Sequence, residues 1–373
     1  MRILIATDAA PPQVNGVVRT YERLAAELEA QSIETAFLTP ADFTTVALPF
    51  YREIRVALPS MRHARRRIDD LAPDFIHVAT EGPVGWMARR VCLSRGQPFT
   101  TSYHTKFPEY ASAHLGLPAD WCYGPARLFH NAGAGTMVAT ASLSRDLAGR
   151  GFKHLLPWTR GVDTDLFRPR DVRLFGSDQP VFLYVGRVSR EKNIEAFLGA
   201  ELPGRKVVVG GGPHLAELAR AYPAAHFTGP KTGVDLAKAY ASGDVFVFPS
   251  RTDTFGLVLL EAMASGLPIA AYPVTGPIDL VANGRTGYLD DDLAVAARKA
   301  LALDRTAARR HACQFSWRRM ADQFVENVER ALLRGGPVKA PRRTVLRRVR
   351  KLRSIGVQSL QRPRFRRLRP AKI

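Results

Sequence analysis

The sequence predicts an α/β protein in which two doubly wound, Rossmann-like halves face each other across a cleft, with a basic tail behind them. Three observations lead there. Short apolar runs alternate with helical stretches, the alternation occurs twice, and a Gly-, Pro- and Asp-rich stretch, LPWTRGVDTDLFRPRDVRLFGSDQP (156–180), separates the two series. Strands alternating with helices build a doubly wound sheet. At 373 residues the chain is also long for a single core.

In the first half, RILIAT (2–7), ETAFLT (34–39), FIHVAT (75–80), FTTSYH (99–104) and GTMVATA (135–141) have the continuous apolar character of parallel strands covered on both faces. Helical patterns over Val17–Ala30 and Gly85–Ser94 lie between them. The 156–180 stretch reads as the linker. In the second half, VFLYVGR (181–187), KVVVGGG (206–212), AHFTG (225–229), VFVFPS (245–250) and PIAAYP (268–273) read as strands with helices between them. Met320, Phe324, Val328 and Leu332 recur every four residues in SWRRMADQFVENVERALL (316–333), one face of a helix. The expected division is a first domain over 1–165, a second over 172–315, a helix over 316–333 crossing back to the first domain, and a tail over 339–373.

Composition narrows the function classes. Cys92, Cys122 and Cys313 are scattered, odd in number and without C-x-x-C spacing. That pattern argues against a disulfide framework or structural zinc and fits a reducing compartment. The N-terminal apolar run in MRILIATDAAPP is too short for a secretory signal and suits a first strand. No segment approaches the roughly 18 apolar residues of a membrane span. The net charge of +20 is concentrated at the C-terminus: residues 339–373 hold 14 of the 54 Lys/Arg and no acid. Such a tail repels itself too strongly to pack a core. Leu346, Val349, Leu352, Ile355 and Val357 interleave with its charges, which suits an amphipathic stretch on an anionic membrane, at about 1 kcal/mol per basic residue. Nucleic acid or plain solvent are the competing destinations. Nucleic acid is disfavoured because the body carries no reader motif.

Ligands of doubly wound sheets bind at the carboxyl ends of strands, and those ends carry polar groups here. After the first strand, Asn15-Gly16-Val17 opens a helix, where a glycine lets backbone N–H groups and the positive helix end approach an anion. Gly210-Gly211-Gly212-Pro213 permits a second close approach. In VGRVSREKNIEAF, Arg187 ends a strand and Lys192 stands at a helix start, where cations oppose the macrodipole unless they share an anion. Two positive charges suffice for a diphosphate to leave without a metal, Arg gripping bidentately and Lys as a point charge. In SRTDTFGLVLLEAMASGLP, Asp253 and Glu261 stand eight residues apart at the mouth of an apolar helix. At 100° per residue they occupy neighbouring faces at different heights, suited to two parts of one ligand. Two Asp-rich stretches, Asp163-Thr164-Asp165 and Asp290-Asp291-Asp292, read as hinge and helix-start residues, and no metal or cofactor is expected.

GRVSREKN, GGGP and FPSRTDTFGLVLLEAMASGLPIAA, in this order, resemble family-four retaining glycosyltransferases of the GT-B fold, over roughly residues 1–333. The resemblance implies metal-independent transfer of a sugar, with retention, from a nucleotide diphosphate donor. It implies that Glu261 holds the donor ribose and that Arg187 and Lys192 hold the diphosphate. Gly16, Gly211 and Gly212 would assist, with Thr254, Phe255, Gly256 and Leu257 around the sugar. The family's E-x7-E motif has Glu where this chain has Asp253, so a shorter acid would face the sugar hydroxyls. SYHT resembles the motif whose histidine faces the reacting centre, which places His104 there. Tyr103, Lys106, Phe107 and Tyr110 are candidate acceptor-groove residues in the first domain, the acceptor domain of this family.

A second basic cluster, MRHARRR, puts Arg62, Arg65, Arg66 and Arg67 in that domain. With the tail it suggests docking on an anionic membrane. SYHTKFPEY with TDTFGLVLLEA is similar to bacterial glycosyl-diacylglycerol synthases and to sulfoquinovosyl- or mannosyl-lipid transferases. The expected reaction moves a hexose from UDP-glucose or UDP-glucuronate to diacylglycerol, on the cytoplasmic face of the cell membrane. GDP-mannose with a phosphatidylinositol or glycolipid acceptor is the alternative, followed by a soluble or polysaccharide acceptor.

Overall fold

The computed structural model describes residues 1–13, 15–47, 55–116 and 118–334; the basic tail, 339–373, lies outside them. The first half begins β1 (Arg2–Ala6), α1 (Gly16–Glu29) and β2 (Glu34–Leu38), followed by a short antiparallel hairpin of β3 (Thr45–Ala47) and β4 (Arg55–Ala57). It continues through α2 (Met61–Leu71), β5 (Phe75–Val78), α3 (Pro83–Ser94), β6 (Phe99–Tyr103), α4 (Phe107–Leu115) and α5 (Ala119–His130). β7 (Gly135–Val138), α6 (Ala141–Gly149) and β8 (Leu155–Pro157) complete it.

The second half repeats the alternation. It runs β9 (Val181–Val185), α7 (Ile194–Leu198), β10 (Arg205–Val209), α8 (Leu215–Ala221), β11 (His226–Gly229) and α9 (Gly233–Ala241). Then come β12 (Val245–Phe248), α10 (Leu257–Ala264), β13 (Ile269–Ala271), α11 (Pro277–Leu280), β14 (Gly287–Leu289), α12 (Leu293–Ala300) and α13 (Arg305–Ala312). α14 (Trp317–Arg334) closes the described chain.

Both sheets are parallel, in the orders β2-β1-β5-β6-β7-β8 and β11-β10-β9-β12-β13-β14. The winding reverses between β1 and β5 in the first sheet and between β9 and β12 in the second. Crevices open outside the carboxyl ends of strands at such reversals. The apolar runs became strands because helices bury both faces of each sheet. Ile3, Ile5 and Phe75 pack under α1 and α14, while Leu4, Ile76 and Val78 pack under α2 and α3.

All of the predicted strands except β11, which ends with its run at Gly229, end one to three residues before the apolar runs do, and the surplus residues begin the cleft loops. Part of the stretch read as linker is the edge strand β8. Its Pro157 lacks an N–H, which an outer strand tolerates, and its carbonyl accepts from Asn327 Nδ2 at 2.8 Å. Next to it, buried Trp158 donates from Nε1 to the Met320 carbonyl at 3.0 Å. These bonds, with Phe324 and Val328 in the first half's core, seat α14 against the first sheet.

Candidate active site

Four polar residues singled out in the sequence flank the reversal of the second sheet. Arg187 and Lys192 follow β9, and Asp253 and Glu261 follow β12. Lys192 closes a 3-10 turn (Arg190–Lys192) ahead of α7. Its Nζ donates to both Asp253 oxygens, at 2.9 and 2.8 Å. Asp253 therefore lies in a loop, and the helical phase between it and Glu261 does not apply. α10 begins only at Leu257, behind Gly256, whose φ of 86° is a conformation that favours glycine. The two acids are separated by a turn as well as by helix, so they address different places even more clearly than the spacing implied.

Glu261 is 4% exposed. Tyr240 donates its hydroxyl to Oε2 at 2.9 Å, and Arg19, on α1 of the opposite half, pairs with Oε1 at 2.7 Å. Burial raises this carboxyl above its ordinary range, and the Arg19 charge and the Tyr240 hydrogen bond counter it. Asn15 caps α1 by accepting from Val17 N and Val18 N, both at 3.0 Å. That leaves Gly16 facing the second half, where a Cβ would stand 3.5 Å from Leu257 Cδ1.

The glycine run has a packing origin. A Cβ on Gly210 would fall 1.8 Å from the Gly186 carbonyl oxygen, and one on Gly212 2.3 Å from that of Val188. Gly211 accepts from Val188 N at 2.9 Å. Phe255 is a core residue, 5% exposed. Thr254 reaches across the cleft and donates from Oγ1 to the His104 carbonyl at 2.6 Å. Ser142 on α6 adds another crossing, donating its N–H and hydroxyl to Asp279 on α11.

His104 follows β6. Its Nε2 lies 2.8 Å from Tyr21 Oη, and Arg160 Nη2 lies 3.2 Å from its Nδ1. Burial, then the Arg160 charge and the neighbouring His77 and His130, hold its pKa well below the usual histidine range. Tyr21 Oη also meets His77 Nε2 at 2.9 Å. Burial first and Arg160 second push His77 down to about 3. The unfolded chain thus binds a proton that the folded chain refuses between about pH 6.5 and 3. His77 therefore opposes folding progressively as pH falls through that window, by about 1.4 kcal/mol per pH unit. The melting temperature is expected to fall with pH there, and less steeply in His77→Gln. Equal slopes would show that His77 is not held neutral.

On the acceptor side the residues separate. Tyr103 is fully buried, packed with Tyr123 and Phe152, rather than lining a groove. Lys106 stands 3.7 Å from Glu109 and 3.9 Å from Asp146. Phe107 is 55% exposed, and the Tyr110 side chain lies outside the described residues. On α2, Arg62, Arg65 and Arg66 are exposed, while Arg67 turns to Asp42 at 2.8 Å. The Asp-rich stretches have structural partners. Asp163 pairs with Arg23 at 3.1 Å and accepts from Leu166 N, and Asp292 caps α12.

Sequence reasoning missed Arg19, Tyr21, Arg160 and Tyr240. Arg19 carried the same signal that singled out Lys192, a cation in the first turn of a helix. Arg160 was hidden in the stretch read as linker.

Comparison with known proteins adds the family. The family described as Glycosyltransferase Family 4 matches residues 14–166, and that described as Glycosyl transferases group 1 matches 179–304. A GDP-mannose-dependent alpha-mannosyltransferase of Mycobacterium tuberculosis is 30% identical over 371 residues, spanning 88% of this chain and 96% of its own. Sulfoquinovosyl transferase SQD2 of Arabidopsis thaliana is 32% identical over 304 residues, or 72% of this chain, and the match spans 59% of its length. Sucrose-phosphate synthase from Thermosynechococcus elongatus shares the fold with a TM-score of 0.71 at 22% identity, covering 89% of this chain and 98% of that one. Anabaena HepE, solved with UDP-glucose, does so at 0.66 and 16%, covering 88% and 99%.

Proposed function

This chain is a glycosyltransferase of the GT-B fold and belongs to glycosyltransferase family 4; from that premise we propose that it moves a hexose, with retention and without a metal, from a nucleoside diphosphate donor to a lipid hydroxyl. The observation that carries this is the convergence of Glu261, Lys192 and Asp253 at the strand reversal of one sheet, opposite the α1 N-terminus of the other. Glu261 takes the ribose hydroxyls, for which its buried carboxylate is a strong acceptor. Arg187 and Lys192 take the diphosphate. Backbone at Gly16, Gly211 and Gly212 approaches it, and Asp253, Thr254, Phe255, Gly256 and Leu257 surround the sugar.

In the reaction, the bond between the anomeric carbon and the diphosphate oxygen breaks as a bond to the acceptor oxygen forms on the same face. The acceptor proton passes to the departing diphosphate. Catalysis is positioning plus stabilisation of the leaving charge, and closing the two halves limits loss of the sugar to water. Lys106 and Phe107 sit at the acceptor entrance. Arg62, Arg65 and Arg66, with the basic tail, dock the enzyme on the inner face of the cell membrane. Among the described residues no helix is long and apolar enough to cross a membrane.

The relatives matched along nearly their whole length support GDP-mannose as donor, and the lipid acceptor that goes with it in this reading is a phosphatidylinositol or a glycolipid. A UDP-glucose or UDP-glucuronate donor with diacylglycerol is the second reading, kept because a relative matched over 72% of this chain is named for transferring a sugar other than mannose, sulfoquinovose. The test incubates purified protein in EDTA with each radiolabelled donor and with vesicles of diacylglycerol, phosphatidylinositol or mixed lipid extract. One labelled lipid is expected. Label recovered only as free sugar or in polysaccharide, or transfer abolished by EDTA, would contradict the reading.

A further inference from the structure

Arg160 follows β8 and is 4% exposed. Among the described residues no carboxylate pairs with it. Nη1 donates to the Trp158 and Thr159 carbonyls at 2.7 and 3.0 Å, and the guanidinium lies over the Trp158 ring at 4.2 Å. Its remaining bond is to His104 Nδ1 at 3.2 Å. Burial pushes its pKa down to about 10, so it stays charged at neutral pH.

A guanidinium has donors only. His104 Nδ1 must therefore be the acceptor, and a neutral ring with its lone pair on Nδ1 carries its proton on Nε2. That proton points at Tyr21 Oη. The Tyr21 hydroxyl in turn meets His77 Nε2 at 2.9 Å, where the Ser102 hydroxyl also stands at 3.0 Å, and His77 Nδ1 meets Thr100 Oγ1 at 2.8 Å. One network of hydrogen bonds thus joins Arg160, His104, Tyr21, His77 and Thr100, and its obligatory donor fixes the direction from Arg160 through His104 to Tyr21. The ring is also wedged edge-on against Tyr21 and Trp158.

We propose that Arg160 is a positioning residue for the transfer reaction: it fixes His104 in the Nε2–H tautomer, with Nδ1 engaged by Arg160 and Nε2–H by Tyr21, so that the ring presents no nitrogen able to accept a proton. The functional half of this rests on the transferase reading above; the tautomer does not. The geometry is placed to matter, because the His104 carbonyl is the point at which Thr254 of the other half makes contact. With Nδ1 held by Arg160, the acceptor hydroxyl proton has to leave by another route, which the departing diphosphate supplies. The titratable groups facing the ring are Tyr21 from α1, His77 from β5 and Arg160 itself, with His130 of α5 behind them. None places a carboxylate against the ring to draw a second proton onto it.

The test is a two-bond proton–nitrogen correlation spectrum of the full chain labelled at histidine nitrogen, with His104 assigned by the loss of its signals in His104→Gln. His104 is expected to show a protonated Nε2 and a bare Nδ1, unchanged between about pH 5.5 and 8. Arg160→Met should disturb that pattern and lower kcat by about tenfold or more, with donor KM within about twofold, and Arg160→Lys should restore part of both. A wild-type His104 protonated on Nδ1, or titrating in that range, would overturn the proposal without any variant having to fold. So would an Arg160→Met protein with wild-type pattern and kcat. If the pattern holds while no donor is turned over, the transferase reading fails and the tautomer assignment stands.

Discussion

Glu261→Gln is expected to lower kcat/KM by about a hundredfold, with most of the loss in donor affinity. The carboxylate is buried, and in the proposed complex it accepts two ribose hydroxyls. Hydrogen bonds to a charged group contribute roughly 1.5–3 kcal/mol each, and about 2.7 kcal/mol is a hundredfold. Glutamine keeps the volume and can still accept from Tyr240, so the core around α10 is preserved. Its amide, however, sets N–H groups against the Arg19 guanidinium, donor against donor. Arg19 has 42% of its side chain exposed and can turn to water, so folding stability should change little. Calorimetric titration of the nucleoside diphosphate sugar separates the effects. Wild-type affinity in a folded Glu261→Gln protein would remove the ribose assignment.

Lys192→Met is expected to cost on the order of 10²–10³ in kcat and less in donor affinity. Charge on the diphosphate grows as the sugar bond breaks, so an ammonium beside it stabilises the transition state more than the bound donor. Methionine retains much of the stem. It also leaves Asp253 without the cation that it holds through both oxygens, and that unpaired carboxylate then repels the diphosphate. Lys192→Arg keeps the charge and should retain about a tenth of the rate, its planar fork fitting a site built for a compact cation less well. Single-turnover rates at saturating donor make the comparison. An unchanged rate in Lys192→Met would place the diphosphate elsewhere.

The alternation of strands and helices was legible because parallel strands buried on both faces need continuous apolar runs, as VFLYV and VFVF show. β8 was not. Leu155–Pro157 is a short edge strand held by bonds to α14, 170 residues away at Asn327, and no local pattern encodes that. The acids and cations after β9 and β12 were legible because strand-end loops restrict where charge can stand. What they touch was not. Glu261 meets Arg19 across the cleft, a pairing that depends on how the two sheets face each other, and His104 meets Arg160 over 56 residues within the first half, where the sheet brings the ends of β6 and β8 together. Tyr103 shows the opposite error: a tyrosine beside the reactive motif looked like a groove residue, but it is the last residue of a strand buried on both faces, and its ring lies in the core.

The measurement that tests the central claim most directly is a crystal structure of the protein with a non-hydrolysable nucleoside diphosphate sugar. The ribose is expected on Glu261, with Arg19 displaced from it. The diphosphate is expected against Arg187 and Lys192, and the sugar between Asp253 and the loop after β6. Density for the compound outside the crevice between the two sheets, or within it but with the diphosphate away from both cations, would contradict the account.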